Sequence, residues 1–327
     1  MYKEGCPHSK KSLYLEKLTT MKNYKFSRRN LLHMCKISSD GDIIFYSHTD
    51  FLVFISIVFS YASRYGIRIT GLCIMFNHFH ILAYAPDEDS LTLFYQQICA
   101  VFARFYNRRP GKVHIRWKRR SNISAKPSDK MKKTAYLYVV NNPVEKRYCK
   151  SASGYPWIFF GNVGYESSES ISDNLALAMA IVRDAARVSR PLTYEFFDHF
   201  EAVLTALEMT ELRRYVISSF VQIDDSEVRK YFGSVDSFLH YSEVYSGAEY
   251  ETEDDMTTEC YAHYSSLARK LRSRGTWGND LEIHSEGFDR YELIRELAFE
   301  TEASNAEISR FLHLPLGLIQ NITGRRF

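Results

Sequence analysis

GLCIMFNHFHILAYAP, residues 71–86, is two apolar strand-like runs that meet at Phe76-Asn77, a connection short enough for an antiparallel hairpin. Alternate residues of a strand share a face, so His78 and His80 project together while Phe79 points the other way. Two imidazoles on one face can hold one metal ion. Further along, TAYLYVVNNPVEK (134–146) reads as a helix that sets Tyr138 and Asn142 four residues apart, on one helical face. That pair adds a nucleophile and a third ligand. In a chain with 11 histidines, chance alone supplies about 0.4 His-x-His triplets, so the surroundings of the triplet carry the argument.

Working outward, LLHMCKIS (31–38) reads as a first strand, SSDGD as a turn and IIFYS (43–47) as a short strand. Thr49 is the expected N-cap of a helix from Asp50 to about Tyr65, closed by Gly66. IRITGLCIM and HFHILAYA are the two hairpin strands. Residues 90–109 read as a second helix stopped by Pro110-Gly111, and KVHIRWKRRSNIS as an extended, basic segment. The helix that carries Tyr138 is expected to end at Pro143. Strands interleaved with helices in this order predict an α+β fold in which helices pack on an antiparallel sheet.

The remainder divides differently. Residues 1–24 lack periodicity and read as an N-terminal extension, 25–165 as the domain just described, and 166–327 as a helical C-terminal region. ETEDD (251–255) reads as a solvated loop. Residues 304–323 resemble a helix-turn-helix, with a capping box from Ser304 and Glu307, a turn at His313-Leu314 and a second helix opened by Pro315.

Charge separates the two halves. Residues 1–150 hold 26 Lys and Arg against 10 Asp and Glu, a net +16, whereas 151–327 hold 16 against 29, a net −13. A basic half of this size points to a polyanion as partner. Arg104, Arg108, Arg109, Lys112, Arg116, Lys118, Arg119 and Arg120 are interleaved with Phe105, Tyr106 and Trp117, a mixture suited to phosphate contacts and base stacking. Trp117 is the stacking candidate. A hydrophobic content of 45% argues against disorder. The six cysteines are widely spaced with no C-x-x-C, which excludes a zinc knuckle or a disulfide framework and fits a reducing cytoplasm. The longest apolar run is short of a membrane span, and no signal peptide is expected.

IMFNHFHILAYAP resembles the M-P-N-H-hydrophobic-H-hydrophobic signature of the HUH-superfamily single-tyrosine transposases, and YVVNNPVEK resembles their Y-I-x-x-N-P-V helix. FARFYNRRPGKVHIRWKRR and YPWIFFG add to a likeness, over about residues 24–165, to REP-associated tyrosine transposases. Phe76 stands where the family has Pro. The resemblance implies a ferredoxin-like, RRM-like sheet, an HUH nuclease fold. It also implies a single-stranded DNA endonuclease and strand transferase that cleaves hairpin-forming DNA through a 5′-phosphotyrosine at Tyr138. A divalent metal, Mg²⁺ or Mn²⁺, would be held by His78, His80 and Asn142; mixed imidazole and amide ligation suits Mn²⁺ readily. A DNA-binding regulator of the same fold without activity is the alternative. Tyr136 is the competing tyrosine, a helix C-cap is the competing role for Asn142, and His33 reads as structural. The partner is single-stranded or hairpin DNA, with no membrane, and the long C-terminal region favours a monomer without excluding a dimer.

Overall fold

Three runs with strand periodicity form the centre of a five-stranded antiparallel sheet: β1 (Leu31–Ile37), β2 (Arg68–Ile74) and β3 (His78–Tyr84). Edge strands β4 (Asn122–Lys126) and β5 (Ile158–Phe159) complete it, in the order β4-β1-β3-β2-β5. The first four strands with their two crossover helices, α1 (His48–Tyr65) and α2 (Glu88–Asn107), follow the split β-α-β arrangement expected. The computed structural model describes residues 26–39, 42–109, 114–118, 122–166, 171–244, 266–267, 269–271, 290–301, 303–312, 314 and 316–324. The expected extension at 1–24, the ETEDD loop, Pro110-Gly111, His313 and Pro315 lie outside those residues, as does the side chain of Glu307.

Both β1 and β3 are buried along their whole length because helices cover both faces of the sheet. On one face α1 and α2 pack through aromatic rings: Phe79 lies 4.8 Å from Phe54 of α1, and Phe54 lies 5.2 Å from Phe102 of α2. Each fully buried ring of this kind stabilises the fold by about 1.5–3 kcal/mol. On the other face lies α3 (Asp129–Glu145), which presents Tyr138 to the sheet.

Local chemistry explains where several boundaries differ from expectation. Helix α1 starts two residues earlier than Thr49 would set it, because Ser47 and Asp50 form a reciprocal capping box. Gly66 closes α1 in the left-handed region with φ 63°, as expected. Asp87 caps α2, so that helix too begins earlier than residue 90. IIFYS is not a strand; the amides of Ile44 and Phe45 both donate to the carbonyl of Phe76 and tie the segment to the hairpin turn. Pro143 does not end α3. It sits in the last turn, where its missing N–H removes one hydrogen bond, and the amide of Lys146 still donates to Asn142.

Beyond residue 165 the regular elements described are helices. α4 (Asp173–Arg187), α5 (Tyr194–Glu201) and α6 (Ala206–Phe220) gather beside α1, and the Leu192 amide donates to Ser56 Oγ at 2.9 Å. α7 (Ser226–Phe232) and α8 (Val235–Val244) lie against α3: Lys132 Nζ meets Glu227 at 2.9 Å and Tyr84 Oη at 2.7 Å, and Phe238 meets Tyr136. α9 (Arg290–Glu300), α10 (Asn305–Leu312) and α11 (Leu316–Thr323) pack together, and Phe311 touches Tyr46. The boundary expected at 165/166 is therefore crossed by buried contacts.

The most concentrated of these crossings is at Asp50, which is fully buried. Its Oδ2 accepts from the amides of Tyr46 and Ser47, while Oδ1 accepts from Tyr194 Oη at 2.7 Å and from Arg109 at 3.1 Å. Gly71, in the strand bulge, has Phe160 over it; a Cβ there would meet the ring at 2.5 Å.

Candidate active site

Register places the polar side chains. Residues directly paired across antiparallel strands point to the same face. Cys35 and Cys73 both pair with His80, Ile37 with His78, and Ser124 with His33. His33, His78, His80 and Ser124 therefore share the face on which α3 lies. Phe79 and Met34 are on the opposite face, in the aromatic layer.

His78 and His80 are each 1% exposed, and their rings lie 4.9 Å apart, edge to face. His78 Nδ1 donates to Asn77 Oδ1 at 2.8 Å, which leaves the lone pair of this ring on Nε2. His80 Nδ1 is bonded to His33 Nε2 at 2.9 Å, with the two rings stacked at 5.1 Å. His80 Nε2 is buried and has no hydrogen-bond partner among the described residues. Tyr138 lies edge-on to both His80 (5.5 Å) and His33 (5.7 Å). Asn142, fully buried on the same helical face, is close enough to raise the basicity of His78, yet neither amide atom has hydrogen-bonding geometry with a described residue. An unpartnered buried amide is costly unless something else completes it.

Burial holds all three imidazoles neutral. It pushes His33 down to about 3, with Lys126 adding to the effect. It holds His78 and His80 well below the usual histidine range, helped by a neighbouring ring in each case and by Lys146. Among the described residues no group of three or more His, Cys, Asp or Glu could hold a metal ion. The available donors are two imidazole nitrogens and one amide oxygen. Their orientation by Asn77 and His33, and the unpartnered atoms of His80 and Asn142, fit a divalent ion bound by His78, His80 and Asn142.

Tyr136 is separated from this group. It is fully buried against Phe160 and Phe238, away from the histidines, and burial pushes its phenol far above the usual range. Asn142 is inside the last turn rather than a C-cap.

The basic residues distribute differently from their sequence. Arg104 on α2 and Arg108 at its C-cap are exposed, in the layer on the far side of the sheet from Tyr138. Arg109 is committed to Asp50 and lies 4.3 Å over the Tyr194 ring, so its guanidinium is a structural link and not a phosphate contact. Trp117 Nε1 donates to the Cys99 carbonyl and its partly buried ring packs against Phe79 and Phe102, in the layer on the far side of the sheet from Tyr138. Arg116 is exposed beside it, and Lys112, Arg119 and Arg120 lie outside the described residues. Of the expected set, among the described residues, Lys118 acts on the site through His78.

Four participants escaped the sequence reading: His33, Asn77, Lys126 and Lys146. The first was legible in principle, since β1 must pair with the hairpin and its one histidine then falls on one of two faces. Asn77 adjoins His78. The two lysines carry no signal among the other cations of this half.

No helix among the described residues is long and apolar enough to cross a membrane. No protein-family profile and no curated protein sequence matches this chain. Among solved structures, a REP-associated tyrosine transposase bound to a REP hairpin overlaps 47% of this chain and 96% of its own, at 14% identity and a TM-score of 0.36. An overlap this loose bears on neither activity nor residue roles, which rest on the geometry above.

Proposed function

We propose that this protein is a metal-dependent single-stranded DNA endonuclease and strand transferase, with Tyr138 as nucleophile. The observation that carries the reading is the packing of Tyr138 edge-on against His80 and His33, with Asn142 one turn further along the same helix beside His78. A tyrosine placed only for packing gains nothing from three buried imidazoles and an unpartnered amide.

In this reading the phenol oxygen of Tyr138 attacks a DNA phosphorus. The bond to the 3′ oxygen breaks, the phenolic proton is lost and the leaving oxygen gains one, so the products are a 5′-phosphotyrosine and a 3′-hydroxyl. The covalent link conserves the bond for rejoining. A divalent ion held by His78, His80 and Asn142 would supply positive charge to the non-bridging oxygens. Asn77 and His33 fix the ring orientations, Lys118, Lys126 and Lys146 attract the backbone, and the closed aromatic layer behind the sheet keeps the site rigid.

The test is incubation with a 3′-labelled hairpin oligonucleotide bearing a single-stranded tail, with Mn²⁺, followed by denaturing electrophoresis. A covalent protein–DNA band that vanishes in Tyr138→Phe is expected, with DNA binding retained. DNA binding without cleavage under all metal conditions would instead identify a regulator of the same fold.

A further inference from the structure

Three lysines are brought to the candidate site by three different elements. The amide of Lys118 donates to the carbonyl of Ile37 at 3.0 Å, and Ile37 pairs with His78 across β1 and β3. Lys146 closes α3, with its amide on the carbonyl of Asn142 at 3.0 Å. Lys126 ends β4, one same-face step from Ser124, which pairs with His33. All three are partly exposed. Besides the rings themselves, they are the charges that act most strongly on His33, His78 and His80.

The donors they surround carry no charge of their own. His78 and His80 offer imidazole nitrogen, Asn142 offers an amide oxygen, and no acidic group joins them in a metal-holding cluster among the described residues. Proteins that hold Mg²⁺ or Mn²⁺ alone ordinarily do so with carboxylates, because a hard dication needs anionic oxygen to offset its lost hydration. The lysines that act on these rings have the same sign as the ion. The rings are buried and the lysines only partly exposed, so this repulsion is screened less than one between surface charges. A DNA phosphate reverses that balance, since it is attracted by the lysines and by the ion alike.

We propose that a divalent cation and a DNA backbone phosphate occupy this pocket cooperatively, each raising the affinity for the other, so that the protein without DNA holds the ion weakly. The proposal rests on the metal and DNA reading above and adds the order of assembly to it. Binding linkage is reciprocal: whatever factor DNA adds to metal affinity, metal adds to DNA affinity. It also gives the lysines a double role. Each opposes the ion in the free protein and favours the phosphate.

The experiment uses the full chain carrying Tyr138→Phe, so that no covalent product forms, and follows free Mn²⁺ by electron paramagnetic resonance during titration. The tailed hairpin oligonucleotide is present or absent, and Mn²⁺ bound by the oligonucleotide alone is subtracted. A tightening of about tenfold or more on adding DNA is expected, within the usual range of coupling between sites, together with an equal rise in DNA affinity on adding Mn²⁺. Lys146→Ala in the same background should tighten Mn²⁺ binding by the free protein and weaken DNA binding. Equal Mn²⁺ affinity with and without DNA, or a Lys146→Ala variant that loses affinity for both, would overturn the coupling while leaving the metal site in place. If Mn²⁺ binding with DNA present is no greater than in a His78→Ala/His80→Ala control, the metal reading itself fails and the coupling with it.

Discussion

The two faces of one sheet behave as two different materials. Behind Phe79 the strands meet an aromatic layer of Phe54, Phe102 and Trp117, in which even an indole N–H and an arginine are absorbed by internal partners. In front, one residue away along the same strand, His78 and His80 meet a second histidine-bearing strand and a tyrosine helix, with buried polar atoms left over. Alternation at a single strand thus separates what holds the fold from what is available for chemistry.

Neighbouring substitutions sharpen this contrast most. His80→Ala should reduce covalent adduct formation to background, because it removes one of the proposed ligands and the partner of His33, while secondary structure and cooperative unfolding persist. Phe79→Ala, its neighbour, should do the reverse: a loss of about 3–5 kcal/mol in urea unfolding, from the ring's buried position in the aromatic layer. An adduct-competent His80→Ala protein would remove that residue from the chemistry. Next in size, Asp50→Asn should cost about 3 kcal/mol, since it leaves Arg109 without its buried charge partner; unchanged stability would show the capping box and Tyr194 to be sufficient. Gly71→Ala should cost about 1–3 kcal/mol, because Phe160 must move to admit a methyl group. The smallest effect is expected at Arg104→Ala, where affinity for single-stranded DNA and its salt dependence should stay unchanged, as measured by fluorescence anisotropy over a salt series. A lower salt slope there would place DNA on the α2 layer as well.

Much of this architecture was readable from alternation and spacing. Period two in 78–84 put both histidines on one face without any knowledge of the partner strand, and four-residue spacing in α3 separated Tyr138 from Tyr136. Position relative to the sheet was not readable in the same way. Arg104 and Lys126 are both cations within one basic half, and only the packing of α2 behind the sheet and of β4 beside His33 distinguishes them. The internal partners of Arg109 and Trp117, Asp50 with Tyr194 and the Cys99 carbonyl, were not legible because they are remote in sequence. The cap of α1 fell to Ser47 instead of Thr49 because Asp50 reciprocates it three residues on. Pro143 was tolerated because it lies in the last turn, where one missing hydrogen bond is all that it removes.

The phenol that reaches Asp50 comes from a helix that begins at Tyr194. During synthesis the sheet, α1 and α3 all emerge from the ribosome well before that residue. A nascent chain at that stage carries a buried carboxylate with one of its side-chain donors still untranslated, and Ser56 lacks the Leu192 amide that it accepts from in the finished protein. Domains generally mature as units in order of synthesis; here the first half waits for the second. The layer around α1 therefore gains its full set of partners late, after translation has passed into the acidic half, and a stall near residue 170 should yield a loosely packed, chaperone-dependent chain.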